Sequence, residues 1–157
     1  MSSQPLEINV ALQIQKPAHE VFEAIVDPAK MTNYFISKST GRMEEGAQLT
    51  WMFPEFTIEV PVRVDTVEQD QYISWYWPAE DGRELLVEIT LTPAPNNSTI
   101  VAISEKSMEN NEAGINWLKG NTEGWANFLA CLKCWVEHGI NLRKGAWDFR
   151  SDSAAGA

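Results

Sequence analysis

The chain of 157 residues lacks several features that would mark it for secretion or for a membrane. Its start, MSSQPLEI, has neither a basic segment nor an apolar run, so the sequence predicts no secretory signal. No stretch approaches the roughly 20 apolar residues that a membrane span needs. We therefore expect a cytoplasmic protein in which the only two cysteines remain thiols.

Positive charge is also scarce. Lysine and arginine together number 12 against 22 aspartate and glutamate residues, which gives a formal net charge of -10 at pH 7. A chain this acidic is poorly suited to a phosphate backbone, and it has no polybasic patch for anionic lipids. We expect it to bind neither nucleic acid nor membranes.

Signatures of the common enzyme classes are missing from the sequence as well. It contains no Gly-x-Ser-x-Gly elbow, phosphate loop, dinucleotide fingerprint or paired-histidine motif. Cys131, Cys134 and His138 are spaced like metal ligands, but they lie within one predicted helix, where Cys134 and His138 turn away from the buried face. The only other histidine, His19, is far away in the sequence. We expect no metal and no cofactor.

The longest helical pattern runs from Asn121 to Ile140. Asn121 or Thr122 can cap its start, and Gly139 can supply a left-handed stop. At about 100° per residue, the large apolar side chains share one broad face, which must be buried. Bulky rings on that face suit the concave side of a curved antiparallel sheet. The face comprises Trp125, Phe128, Leu129, Leu132, Trp135 and Val136.

The first part of the chain predicts one strand and two short helices. Strict alternation of apolar and polar residues indicates a half-buried strand over Leu6–Ile14. Pro17 then opens a short helix over Ala18–Val26, and a second short helix follows over Ala29–Tyr34. The phenol at the end of this second helix needs a hydrogen-bond partner, so Tyr34 can face a cavity.

The middle of the chain, from Ser37 to Met108, predicts an antiparallel meander. Alternating apolar residues are interrupted there by turn signals at regular intervals. Together with the first strand, this gives seven strands. The longest of them is predicted to carry one apolar face, which consists of Phe56, Ile58, Val60, Val62 and Val64.

One segment on each side of the long helix is also informative. Glu109–Gly114 is interpreted as a lid or hinge that leads into the helix, whereas Trp147 and Phe149, beyond it, are expected to pack back onto the domain. The length and the hydrophobic content of 44% fit one domain over residues 1–149. The small and polar residues 150–157 predict a disordered tail.

The order of these elements, together with six sequence segments, resembles a known superfamily over about Leu6 to Gly139. The segments are PAHEVFEAIVDPAKMTNYF, GRMEEGAQLTWMF, DTVEQDQYISWYW, LLVEITLTP, STIVAISEK and TEGWANFLACLKCWVEHG. They are similar to the START-like, or SRPBCC, superfamily with the helix-grip fold of the birch-pollen allergen. Within it they resemble the branch named for the activator of the heat-shock protein 90 ATPase.

The resemblance implies an α+β helix-grip fold. A curved seven-stranded antiparallel sheet would wrap around the long carboxy-terminal helix, with two short helices between strands 1 and 2. In many members a cavity between sheet and helix holds an apolar or amphipathic small molecule, so function lies in the cavity lining. The candidate ligand-binding residues are Tyr34, Trp51, Phe53, Phe56, Trp75, Trp77, Glu105, Trp117, Trp125, Phe128, Leu129 and Leu132. The alternative is that the rings simply fill the core.

Glu105 is the polar candidate that matters most. Alternation places it on the apolar face with Val101 and Ile103, where a carboxylate needs a partner. It would there orient a ligand or act as an acid or base. The alternative is that the strand ends near Ser104 and that the carboxylate is solvated at the rim. Arg63 is expected on the solvated face of the sheet.

The sequence leaves three functions open. The first, which we prefer, is a non-catalytic protein that binds a hydrophobic small molecule in the cavity. The second is an enzyme of the cyclase, aromatase or hydrolase type that uses Glu105 with a polar neighbour such as Tyr34. The third is a chaperone-associated interaction module that acts through the surface of the domain. We expect a monomer or a homodimer.

Overall fold

The computed structural model describes residues 4–150 of the chain. These residues form a seven-stranded antiparallel sheet in the order β1-β7-β6-β5-β4-β3-β2, a long helix α3, and two short helices between β1 and β2. The predicted α+β fold class is therefore confirmed. The strands are β1 (Leu6–Ile14), β2 (Lys38–Ser39), β3 (Gln48–Met52), β4 (Glu59–Glu68), β5 (Tyr72–Pro78), β6 (Glu84–Ala94) and β7 (Ser98–Met108), and the helices are α1 (Ala18–Val26), α2 (Pro28–Met31) and α3 (Glu112–His138).

The sheet brings together strands from the two ends of the sequence. Strands β2 to β7 pair in sequence order, and β1 joins the edge next to β7. In that pairing Val10 lies opposite Ile103 and Leu12 opposite Val101. Strand β7 is therefore an interior strand, paired with β1 on one side and β6 on the other. An inward side chain on β7 is consequently surrounded by the core.

Both predicted short helices are present, but only the first has the predicted bounds. Helix α1 spans Ala18–Val26 as predicted, whereas α2 spans Pro28–Met31 rather than Ala29–Tyr34. The side chain of Asp27 caps α2 by accepting a hydrogen bond from the Ala29 N–H at 2.9 Å. Beyond this single turn the chain continues as turns that bury Tyr34 and Phe35.

The long helix begins nine residues earlier than the sequence predicts. Its cap is Asn111, whose Oδ1 accepts a hydrogen bond from the Gly114 N–H at 2.8 Å, so the predicted start at Asn121 is wrong. The predicted lid over Glu109–Gly114 instead contains this cap and the first helical turn. The predicted stop is confirmed, since Gly139 adopts a left-handed conformation with φ of 68°.

The apolar face predicted for β4 is also wrong at its start. The strand begins at Glu59, so Phe56 and Ile58 lie in the preceding loop and are 50% and 62% exposed. Beyond the long helix, Trp147 is half-buried as expected, but Phe149 is 72% exposed. Of the predicted tail, residues 151–157 lie outside the described residues.

The carboxy-terminal half of α3 packs its apolar face on the sheet. Trp125, Phe128, Leu129 and Leu132 are all at least 96% buried, as the helical spacing predicts. Trp135 and Val136, on the same predicted face, are only half-buried. On the opposite face of the sheet, Arg63 is exposed and pairs with Glu84 at 2.7 Å. Arg63 therefore lies on the solvated face, as predicted.

Candidate functional site

Aromatic rings fill the space between the sheet and the middle of α3. Trp51 and Trp75 are fully buried with ring centroids 5.5 Å apart, and Phe35 contacts Phe128 at 4.7 Å in an edge-to-face arrangement. Trp75 also contacts Trp125 on the helix at 6.2 Å. Edge-to-face rings at these separations pack favourably, so this part of the interior is solid core.

A cleft opens beside that core, next to the amino-terminal half of α3. Its volume is about 670 Å³, and we call it the main cleft. Aromatic walls come from the β3–β4 loop, β5 and α3, while acidic side chains of the β5–β6 turn reach its rim. It is lined by Phe53, Val60, Trp77, Pro78, Ala79, Glu80, Asp81, Leu85, Glu105, Met108, Ala113, Asn116, Trp117, Gly120 and Asn121.

Nine of the twelve candidates predicted from the sequence divide between these two regions. Phe53, Trp77, Glu105 and Trp117 line the main cleft. Five others are buried in the core and are not part of that lining, because their faces are covered by neighbouring rings and by the sheet. These five are Trp51, Trp75, Phe128, Leu129 and Leu132.

Glu105 is the hydrogen-bonding centre of the main cleft. Its side chain is fully buried, so the prediction that it faces the helix is confirmed and the alternative of a solvated rim position is excluded. Oε2 accepts from the indole N–H of Trp77 at 2.7 Å. Oε1 accepts from Trp125 at 2.9 Å and from the side-chain amide of Asn121 at 3.1 Å. One carboxylate thereby joins β7, β5 and α3.

Helical geometry explains why two donors from α3 reach the same oxygen. Asn121 and Trp125 are four residues apart, so their side chains lie one above the other on the same helix face. A carboxylate that accepts three N–H groups matches the ionised form, which has acceptors only. Hydrogen bonds to an ionised acceptor are stronger than neutral ones, so this cluster fixes α3 relative to the sheet.

The acid–base pair proposed from the sequence does not form. The hydroxyl of Tyr34 donates to the backbone carbonyl of Ala24 at 2.9 Å, and its ring is buried. Burial raises the pKa of this phenol well above its ordinary value, which leaves it protonated. Tyr34 lines a separate pocket near α2, not the main cleft with Glu105. Tyr34 is therefore no catalytic neighbour of Glu105.

A second, smaller pocket of about 260 Å³, the side pocket, adjoins the main cleft. The segment after α3 covers it, and Arg143 from that segment forms two hydrogen bonds with Glu55, at 2.5 and 3.2 Å. The same guanidinium lies 4.6 Å from the centre of the Trp147 ring. Four of the sequence candidates line this pocket: Phe53, Phe56, Trp77 and Trp125. Trp125 is also part of the aromatic core.

Sequence reasoning missed the role of Arg143 and Glu55. The two residues are 88 positions apart, and neither belongs to a periodic pattern. The only signal was the apolar character of the segment after the helix. Their side chains are only 14% and 16% exposed, so this ion pair anchors that segment over the side pocket.

Two glycines leave the helix backbone bare where the two pockets meet. Gly120 lines both pockets, and Gly124 lines the side pocket only. A Cβ built on either residue would meet no heavy atom within 4 Å. No neighbouring atom occupies the space beside either glycine, so both leave room next to the pockets that they line.

The cysteines and the remaining histidine of α3 lie apart from the cleft. Cys131 is buried, Cys134 is half-buried, and both are free thiols. Burial raises the pKa of the Cys131 thiol, which lowers its reactivity. In residues 4–150 no group of three or more histidine, cysteine or acidic side chains is arranged to hold a metal. No helix in that range is long and apolar enough to cross a membrane.

Comparison with known proteins places this arrangement in a family. Residues 15–137 match the model of the family described as "Activator of Hsp90 ATPase homolog 1-like protein". The chain belongs to this family. That result confirms the resemblance identified from the sequence segments. Among curated proteins, none matches the chain.

Solved structures agree with the family assignment. Protein SSP2350 from Staphylococcus saprophyticus is 30% identical, with a TM-score of 0.77 over 87% of this chain and 96% of that one. DynU16, from the dynemicin biosynthetic locus, is 23% identical with a TM-score of 0.75 over 85% of this chain and 48% of that one. The Aha1 dimer from Colwellia psychrerythraea is 16% identical with a TM-score of 0.73 over 85% and 98%. The last two show the shared fold.

Proposed function

We propose that the protein binds an amphipathic small molecule with a flat apolar body in the main cleft. The observation that supports this most directly is the cleft itself. Its volume of about 670 Å³ lies within the range typical of small-molecule sites. Aromatic walls with a few fixed polar groups are the usual composition of such sites. Trp77 and Trp117 supply the walls, and Glu105 and Asn121 supply the polar groups.

Binding without catalysis fits the state of Glu105 better than acid–base chemistry does. A general acid or base must reach the proton that it transfers. Both oxygens of Glu105 already accept hydrogen bonds from Trp77, Trp125 and Asn121. The carboxylate therefore holds Trp77, Trp125 and Asn121 in place beside the cleft and acts on a bound molecule through its charge. The chaperone-associated role, the cytoplasmic location and the oligomeric state remain predictions from the sequence and its resemblance.

A cleft-filling substitution tests the proposal. In Gly120→Phe the new Cβ meets no heavy atom within 4 Å, and the side chain starts from a residue that lines both the main cleft and the side pocket. Gly124→Phe is the matched control, because it makes the same change on the same helix but lies outside the main cleft. Tryptophan fluorescence would be followed while the protein is titrated with a panel of lipids and aromatic polyketides.

We expect saturable quenching by at least one compound in the unmodified protein. Gly120→Phe should weaken that binding by about tenfold or more, equivalent to about 1.4 kcal/mol, and Gly124→Phe should weaken it much less. Thermal unfolding of both variants checks that they remain folded. An absence of saturable quenching across the panel would contradict the proposal, and so would equal affinity in the unmodified protein and Gly120→Phe.

A further inference from the structure

The main cleft contains a buried acid with no counter-ion. Glu105 is fully buried, and no lysine, arginine or histidine among residues 4–150 forms an ion pair with it. Its three hydrogen-bond donors, from Trp77, Asn121 and Trp125, are all neutral groups. A buried charge is normally paired, so a carboxylate with neutral partners alone leaves negative potential in the cleft.

One hydrogen-bonding position of this carboxylate is also unfilled. The two oxygens of an ionised carboxylate offer about four acceptor sites. Oε1 receives two donors, from Asn121 and Trp125, whereas Oε2 receives only Trp77. Glu105 lines the main cleft with its side chain fully buried, so its incompletely compensated charge acts on a bound molecule through the electrostatic potential.

The rest of the lining has the same sign. Glu80 and Asp81 belong to the lining, and no basic side chain does. The nearest cation to the Asp81 carboxylate is Arg83 at 3.9 Å, and Arg83 lies outside the lining. The walls add the rings of Trp77 and Trp117, whose faces attract cations. Negative potential and aromatic walls together favour a positively charged occupant.

From the proposed binding function, we infer that the occupant of the main cleft is a cationic amphiphile. Its flat apolar body lies between the aromatic walls, and its protonated amine lies towards the acidic side chains of Glu80, Asp81 and Glu105. A ligand with a carboxylate would instead meet Glu80, Asp81 and Glu105 without a compensating cation in the lining. The structure therefore favours amines over neutral molecules, and neutral molecules over acids.

Three probes with the same ring system test this order. Naphthylmethylamine, naphthylmethanol and naphthoate would be titrated into the full-length protein at pH 7 and followed by calorimetry. We expect the amine to bind about tenfold more tightly than the alcohol, a difference of about 1.4 kcal/mol, and naphthoate to bind most weakly. Equal or tighter binding of the alcohol or of naphthoate would overturn the inference.

The same titration separates this inference from the proposed function. If the alcohol binds and Gly120→Phe abolishes that binding, the main cleft is a binding site whether or not the amine has an advantage. An amine without that advantage then overturns only the cationic preference. If none of the three probes binds, the cationic inference fails and the proposed function is left to the wider panel of lipids and polyketides.

Two substitutions identify the source of the preference. Glu105→Gln keeps the shape of the side chain and removes its charge, so the ratio of amine to alcohol affinity should fall about fivefold. Glu80→Gln keeps the core intact and should lower the ratio only about twofold. Because Glu80 is exposed, rising salt should abolish this effect. An unchanged ratio in folded Glu105→Gln, or in Glu80→Gln if the first variant does not fold, would overturn the inference.

Discussion

Trp125 on the long helix donates its indole N–H to Oε1 of Glu105 on β7 at 2.9 Å. The two residues are 20 positions apart, and this contact joins the last strand directly to α3. Asn121, one turn earlier, donates to the same oxygen. One carboxylate therefore ties α3 to the sheet beside the main cleft, in addition to the apolar packing of the helix.

The first prediction concerns the stability that Glu105 confers. Glu105→Leu leaves three N–H donors without an acceptor, and one of them, the indole of Trp125, is buried. This variant should therefore lower the free energy of unfolding by about 2–4 kcal/mol. Glu105→Gln retains one oxygen and should cost about half as much. Urea unfolding of the two variants measures the difference. A leucine variant at least as stable as the glutamine variant would show that these hydrogen bonds contribute little.

The second prediction distinguishes the two faces of α3. Leu132 is fully buried, so Leu132→Ala should cost about 2–5 kcal/mol through the cavity that it creates. The neighbouring Lys133 is partly exposed and pairs with Glu137 on the next turn and with the Gln13 carbonyl oxygen, and Lys133→Ala should cost under about 1 kcal/mol. Chemical denaturation provides both values. Similar losses at the two positions would mean that the helix face has been assigned wrongly.

The third prediction concerns glycines of α3. Gly124→Ala adds a methyl group in open space and reduces the entropy of the unfolded chain, so it should stabilise the protein by about 0.5–1 kcal/mol. In Gly114→Ala the new methyl group would overlap the carbonyl oxygen of Glu109, and the first turn must shift. That variant should be destabilised by about 1 kcal/mol or more. Melting temperatures that move in the same direction would contradict this account.

The fourth prediction concerns alkaline pH. Burial, together with the hydrogen bond to Glu88, raises the pKa of Tyr72 to about 12. Because the folded pKa lies above the ordinary value of 10.0, the stability that Tyr72 contributes is complete below pH 10 and is lost as the pH rises towards 12. Tyr72→Phe should remove one tyrosinate absorbance transition near pH 12. If the transition that disappears lies near pH 10, the environment of Tyr72 has been described wrongly.

Periodicity was sufficient to predict the parts of the fold that depend on one continuous segment. Alternation with Val101 and Ile103 predicted that Glu105 faces inward, and Gly139 predicted the helix stop. The start of α3 was predicted wrongly because asparagine is a common helix cap, and Asn121 has that residue type. In the structure Asn121 lies within the helix. The true cap, Asn111, is surrounded by other polar residues that offer no contrast.

Contacts between distant segments could not be predicted in the same way. Trp77 and Glu105 are 28 positions apart, and their hydrogen bond depends on β5 and β7 lying on either side of β6. Whether rings fill the interior or line a cleft depends on how α3 is placed over the sheet. The sequence could therefore identify Trp51 and Trp117 as interior candidates without separating the core residue from the cleft residue.

The indole N–H signals of a nitrogen-15 spectrum test the central claim most directly. The chain has seven tryptophans, so each N–H can be followed while naphthylmethanol, or a ligand found by fluorescence, is added. We predict progressive and saturable shifts for Trp77 and Trp117, which line the main cleft, and little change for the buried Trp51. A ligand that binds but leaves Trp77 and Trp117 unmoved, or that shifts all seven signals equally, would contradict the assignment of the main cleft as the binding site.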